Sequence, residues 1–399
     1  MMDLRSGMPY HWILNGLPHT YPLLDHDAQT TALVVGGGIT GALCAQALAD
    51  AGIEVLVVEA GSIATRSTSA STALLQYELD TPLHILAGQV GEATAVRSYQ
   101  LCAEAIESIM LLAETLGECA ATRRVSLQYA SKRGHVEQLE TEHTFRKKHG
   151  FETDLLAARE VRKRFGFRKP AGLVSHKAAE IDPYRFTHLL LQDVLKKGGR
   201  VMDRTKVVSS ERSNSGYLLR TDKGHLIHAE HVVMATGYQS QRYVDEPGIQ
   251  LHSTYAIASE RIPIAEPWYR NALIWETATP YLYLRTTPDG RILIGGLDEG
   301  FRNPALRDKL LDRKARKLEK LFKKLFPEIP FKTEYSWCGT FGGTSDGLPY
   351  IDRDPRTGAW YVLGMGGNGI TFSKVGAGMV RDHILGRPGP DAGMFRFGR

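Results

Sequence analysis

Residues 32–60 read "ALVVGGGITGALCAQALADAGIEVLVVEA", and this stretch decides the fold. The apolar run Ala32–Val35 predicts a buried strand, the Ala/Leu-rich segment after the glycines predicts a helix ending at Gly52, and Glu54–Glu59 predicts a second strand. Strand, turn, helix and strand in that order are the opening unit of a doubly wound α/β domain. Gly36, Gly38 and Gly41 satisfy G-x-G-x-x-G between the first strand and the helix. The first glycine permits the tight turn, the second lets a pyrophosphate approach the backbone, and the third lets helix pack on strand. Glu59 closes the second strand, where a carboxylate accepts ribose hydroxyls and would repel a 2′-phosphate. The pattern therefore predicts a dinucleotide site that disfavours NADP and leaves NAD and FAD open.

Working outward, a chain of 399 residues with 43% hydrophobic composition can bury a large core and is expected to hold two domains. Lys plus Arg exceed Asp plus Glu by 49 to 44, a formal charge of +5 that does not call for nucleic acid. Cys44, Cys102, Cys119 and Cys338 lie far apart without metal-ligand spacing, so we expect reduced thiols, a cytoplasmic protein and no metal site. The first thirty residues lack an apolar run suited to a signal peptide, and no segment reaches spanning length, so integral membrane association is not expected.

The small-residue loop "TRSTSASTALLQYELDT" (65–81) precedes an amphipathic helix carrying Val96, Cys102, Ala105, Ile106, Ile109, Leu112 and Leu116 on one side and stopped by Gly117. Alternation in "RVSLQYA" from Arg124 predicts a strand of a second domain, followed by a charged helix over 134–149. Residues 181–245 return to α/β character, ending in the buried strand "HVVMATG". The run of strands over 251–298 predicts an antiparallel sheet. Residues 306–326 form a helix with Leu306, Leu310, Leu318, Leu321, Phe322 and Leu325 on the face that covers that sheet, and with most of nine basic residues on the other. The terminal "GMGGNGIT" (364–371) repeats the glycine spacing at Gly364, Gly366 and Gly369, but no second strand ending in an acid follows. It predicts a strand-to-helix turn that aims a helix N-terminus at an electron-rich ring.

Taken together, the N-terminal fingerprint, "IDPYRF", "HVVMATG", "PDGRILIGG", "WCGTFGGTSDGLPYI" and "GMGGNGIT" resemble the D-amino acid oxidase-like family of FAD-dependent oxidoreductases. The resemblance implies a Rossmann-like, discontinuous FAD-binding domain (30–120, 156–245 and 334–399) alternating with an α+β substrate domain on a mainly antiparallel sheet (121–155 and 246–333). It implies FAD, held noncovalently, since Cys338 is offset by one residue from the position of covalent tethering. By the same resemblance, Gly36, Gly38, Ile39, Thr40 and Gly41 hold the pyrophosphate, and Glu59 with Ala60 the ribose. Arg66, Ser67, Thr68, Ser71, Thr72 and Ala73 hold the phosphates and ring, and Val207 meets adenine. Thr236 and Gly237 flank the dinucleotide, while Gly366, Gly367, Asn368, Gly369, Ile370 and Thr371 cap the isoalloxazine.

On the substrate side the chain departs from the family. Phe341 stands where many relatives carry a carboxylate-clamping arginine, Thr371 where others carry a lysine, and "RILIGG" lacks the oxygen-activating lysine. A buried carboxylate without a cationic partner is costly. Period-2 alternation puts Tyr281, Tyr283 and Arg285 on one face, which makes Arg285 the expected replacement clamp. Tyr281, Tyr283, Arg285, Phe341 and Asn368 are the expected substrate-side residues, and His252, Tyr255, Trp275 and Trp337 are further candidates to line the cavity. The expected activity is oxidation of the C–N bond of a small amine or amino acid to an imine by hydride transfer to flavin N5, with O2 or another electron acceptor. The alternatives are a tRNA-directed flavoenzyme, or a membrane-surface dehydrogenase that passes electrons to quinone through the basic helix.

Overall fold

The computed structural model describes residues 3–213, 216–242, 249–301 and 303–399. Two sheets organise them. In the first, the strands run in the order Tyr350–Arg353, Trp360–Leu363, Leu226–Met234, Ala28–Val35, Val55–Val58, Arg200–Met202, with the meander Val207–Ser213 and Gly216–Thr221 attached to Leu226–Met234. Ala28–Val35 lies parallel to Val55–Val58 on one side and to Leu226–Met234 on the other. Ala32, Leu33 and Val34 are wholly buried, as the uninterrupted apolar run demands of a parallel strand covered on both faces.

The helices Ile39–Asp50, Glu92–Leu116, Pro183–Lys196 and Gly369–Ile384 share one core with this sheet. The predicted stop at Gly117 holds, because Gly117 takes φ +125°, which a side chain would oppose. Asp182 caps the helix Pro183–Lys196 by accepting from the amides of Tyr184 and Arg185.

The second sheet runs Arg5–Gly7, Thr333–Gly343, Gln250–Ser259, Ile292–Glu299, Tyr283–Thr286, Leu273–Glu276, Thr122–Tyr129, Ala171–Glu180, Leu74–Gln76, and Thr153–Ala157 pairs with Ala171–Glu180. Every pairing is antiparallel except that of Leu273–Glu276 with Thr122–Tyr129. Three strands of this sheet come from, or almost wholly from, ranges expected for the nucleotide domain. Leu74–Gln76, Ala171–Glu180 and all of Thr333–Gly343 except Thr333 lie in ranges expected for the nucleotide domain, and all three strands hydrogen-bond into the antiparallel sheet. Alternation marks a strand but not the sheet it joins; the pairing partners decide that.

The helix Pro304–Leu325 covers the second sheet with Ala315, Leu318 and Phe322. Leu306, expected on the covered face, is exposed, and Arg307 is buried in its stead. The Arg307 guanidinium reaches the Asp3 carbonyl at 3.2 Å and Thr340 Oγ1 at 3.1 Å, which satisfies its charge-bearing donors inside the fold. Lys314 is also turned inward. Two of the nine basic groups therefore serve internal contacts rather than a solvated face.

Candidate active site

The cavity between the two sheets begins at the glycine turn. Gly36 takes φ +121°, and a Cβ there would lie 2.3 Å from the Ala235 carbonyl oxygen. A Cβ on Gly41 would lie 1.8 Å from the Gly36 carbonyl oxygen, so Gly41 serves helix-on-strand packing and does not itself line the cavity. At Gly38 a Cβ would fill the space beside Thr68 Oγ1, 3.1 Å away, which is the open approach a pyrophosphate needs. Thr68 Oγ1 accepts from the Ile39 amide at 3.0 Å, tying the 66–73 segment to the helix N-terminus. Glu59 accepts from the Gly37 and Gly61 amides at 2.9 and 2.8 Å and lies 3.4 Å from Arg66 Nε. This cradle fits an adenine dinucleotide through backbone, small side chains and one acid at the ribose position.

Along the cavity follow Ala60, Arg66, Ser67, Thr68, Ser71, Thr72 and Ala73 on one wall and Val207, Thr236 and Gly237 on the other. Gly366, Gly367, Asn368, Gly369, Ile370 and Thr371 close it at the N-terminus of the helix Gly369–Ile384. Gly36, Gly38, Ile39, Thr40 and Glu59 line its nucleotide end. The Thr40 and Ser373 hydroxyls meet at 2.8 Å, so the first turns of two helices converge on the same space. Asn368 spends its amide on the carbonyls of Gln76 and Glu78, at 3.0 and 2.9 Å, which makes it a positioning residue for the 76–78 wall.

At the far end stand Trp275, Tyr281, Tyr283 and Phe341. Tyr281 lies edge-on to both Trp275 and Tyr283, with ring centroids 5.8 and 5.9 Å apart. Tyr283 crosses its neighbouring strand at Gly295, where a Cβ would sit 2.3 Å from the phenol ring. Burial holds both phenols well above their ordinary pKa, so they remain hydrogen-bond donors. Tyr281 donates to Asp80 Oδ1 at 2.8 Å, and the Gly367 amide donates to Asp80 Oδ2 at 3.1 Å. Asp80 thus ties the aromatic end to the 366–371 turn.

Arg285 does not line the cavity, which corrects its expected role as a carboxylate clamp. Its Nη1 lies 3.4 Å from Glu180 Oε2, its Nε donates to the Thr72 carbonyl at 2.6 Å, and a further donor reaches the Thr286 carbonyl. Strand alternation puts Arg285 on the same face as Tyr283, but its guanidinium is engaged by the loop and strand beside it. Among the further candidates only Trp275 reaches the cavity; Trp337 donates to the Ala70 carbonyl at 2.9 Å behind the loop, and His252 and Tyr255 lie outside the lining. Cys338 is also outside it, its thiol 3.5 Å from Asp308 Oδ1 and pushed up to about 12 by burial.

Sequence reasoning missed Asp80, Thr254 and Asp298, all of which line the cavity. Asp298 owes its direction to a break in pairing between Ser253 and Tyr255 and to Leu297, which takes φ +58°. Such a bulge re-aims the next side chain, at a backbone cost of about 1–3 kcal/mol. Lys314 holds it by donating to the Leu297 carbonyl at 2.7 Å and pairing with Glu299. Burial pushes the Asp298 carboxyl up to about 6, against a hydrogen bond from Thr254 and with help from the Asp80 charge.

The family model described as FAD dependent oxidoreductase matches residues 31–382. The chain belongs to this family. FAD is therefore its dinucleotide, and the protein is an FAD-dependent oxidoreductase. Among its relatives is the gamma-glutamylputrescine oxidoreductase of Escherichia coli (strain K12), 25% identical over 377 residues, 92% of this chain and 86% of that one. The glycine oxidase of Bacillus licheniformis is 25% identical over 368 residues, 89% of this chain and 93% of that one. The fold is shared with the crystal structure of glycine oxidase from Geobacillus kaustophilus, at TM-score 0.77 and 20% identity, over 93% of this chain and 99% of that one. Among the described residues no helix is long and apolar enough to cross a membrane.

Proposed function

We propose that this flavoenzyme oxidises the C–N bond of a small amine or amino acid to an imine and holds its FAD noncovalently. The observation that carries the reading is one continuous cavity that joins the glycine cradle to the aromatic end through the N-terminus of Gly369–Ile384. FAD held along this cavity would supply the two-electron acceptor for the substrate. The protein's own share is placement, exclusion of water and a field. Trp275, Tyr281, Tyr283 and Phe341 exclude water at the far end. The helix N-terminus favours negative charge at the end it faces. The names of the two relatives above, an oxidoreductase of gamma-glutamylputrescine and an oxidase of glycine, support a nitrogen-bearing substrate.

Noncovalent attachment is supported by the lining itself, which among the described residues holds no cysteine or histidine. Product analysis tests the activity: turnover with an amine or amino acid panel should release a carbonyl compound and an equal amount of the nitrogen fragment. Release of neither, from FAD-loaded protein and any panel member, would count against it.

A further inference from the structure

We propose that the substrate is an organic ammonium compound without a carboxylate, with Asp298 as its charge partner and Trp275, Tyr281 and Tyr283 as its aromatic wall. This rests on the amine-oxidising reading and names the substrate class for the same cavity. Three observations carry it, each about a different property of the far end.

The first is the distribution of positive charge. Arg66 and Lys206 are the basic side chains among the described residues of the lining. Arg66 lies against Glu59 at the ribose position, and Lys206 precedes Val207 at the adenine end. No described lysine, arginine or histidine lines the aromatic end, and Arg285 is committed to Glu180. A carboxylate bound there would be buried without a cation, which is strongly unfavourable.

The second is an unmet acceptor. Asp80 has both oxygens satisfied, by Tyr281 and Gly367. Asp298 does not: Thr254 serves its carboxylate, but Oδ1 is shielded from solvent and has no hydrogen-bond partner among the described residues. Oδ1 is closed off from the cavity as well, but Asp298 as a residue lines it and makes no ion pair among the described residues, so a cation on the ligand is the partner this acid lacks. An organic ammonium supplies that charge.

The third is the aromatic wall. Three aromatic residues of the lining, with Tyr281 set edge-on to Trp275 and Tyr283, form the surroundings that attract an organic cation. Asp298 and the rings therefore agree on the sign of charge they select.

The test is calorimetric binding of two unreactive probes to FAD-loaded protein, butyltrimethylammonium and the similarly sized 4-methylpentanoate, with flavin absorbance as a second readout. The wild type should bind the ammonium at least tenfold more tightly. Asp298→Asn should weaken the ammonium by tenfold or more while leaving the carboxylate unchanged or tighter, and Trp275→Leu should weaken the ammonium severalfold. Equal or tighter binding of the carboxylate by the wild type overturns the proposal whatever the variants do. Unchanged ammonium affinity in folded Asp298→Asn, judged by FAD content, overturns it as well; should that variant not fold, the wild-type preference and Trp275→Leu decide. A protein that selects the ammonium yet is never reduced by any amine contradicts the amine-oxidation reading instead, so the two failures are distinct.

Discussion

Arg285 Nη1 and Glu180 Oε2 lie 3.4 Å apart, and both side chains are buried almost completely. Glu180 also receives Arg124 at 2.8 Å, so one carboxylate balances two guanidinium groups where the sheet meets the 66–73 loop. Removing one member strands charge in the interior, which typically costs about 3–5 kcal/mol. Arg285→Ala should therefore lower the stability of the holoprotein by about that amount in urea titration. It should weaken carboxylate and ammonium ligands alike, with no selective effect on either. A selective loss of carboxylate binding at unchanged stability would restore the clamp.

The glycine turn makes a sharper prediction. Gly41→Ala places a methyl group 1.8 Å from a backbone carbonyl, and backbone cannot swing aside as a side-chain tip can. We expect purified Gly41→Ala to carry less than a tenth of the wild-type FAD content, measured by flavin absorbance against protein. Gly52→Ala is the control: its φ of +77° makes it strained, but nothing lies within 4 Å of the added Cβ, and FAD content should stay near wild type.

A third prediction concerns acid. Glu142 accepts from the Leu83 amide at 2.8 Å and the His84 amide at 3.1 Å, and lies 2.6 Å from both His84 Nδ1 and Arg146 Nε. Burial opposes its ionisation, but Arg146 and these donors hold its carboxyl down at about 2. A folded-state pKa below the unfolded value of 4.5 gives stability that is fully present above 4.5 and is lost as pH falls toward 2. Glu142→Gln should flatten the fall in stability between pH 5 and pH 2 and, by stranding Arg146, lower stability at neutral pH by about 3 kcal/mol. Urea midpoints across that range check both.

Asp298 has the opposite sign. Its carboxyl is pushed up to about 6, chiefly by burial, with Thr254 and Lys314 working downward and Asp80 and Glu299 upward. An ammonium ligand pairs with the ionised form, so its affinity should be full above pH 7 and fall about tenfold per unit below 6. Calorimetry of butyltrimethylammonium at pH 5 and pH 7.5 reads this directly. Affinity that does not change across that interval would show that Asp298 is not its partner.

The nucleotide half was legible because each of its requirements is local. A tight turn, a close backbone approach and a carboxylate at the end of the second strand are all written within residues 32–60. The substrate half is assembled from segments far apart in sequence, and its geometry departs from regular periodicity. Period-2 reading put Arg285 beside Tyr283 correctly, but could not show that Glu180 and Thr72 would take the guanidinium. Asp298 escaped notice because "LDEG" carries no motif; its direction comes from Leu297 in the left-handed region and from Lys314, a helix residue whose charge suggested a solvated face. Leu306 and Arg307 exchanged their expected places for the same reason, since Thr340 and Asp3 lie where no helical period shows them.

The central claim is that this cavity brings a nitrogen-bearing carbon to FAD for oxidation, and anaerobic mixing tests it most directly. FAD-loaded protein should lose its absorbance near 450 nm when mixed with an amine or amino acid substrate, and should recover it when an electron acceptor is admitted. A flavin band that persists with every amine and amino acid tried, in protein that dithionite bleaches normally, would contradict the account.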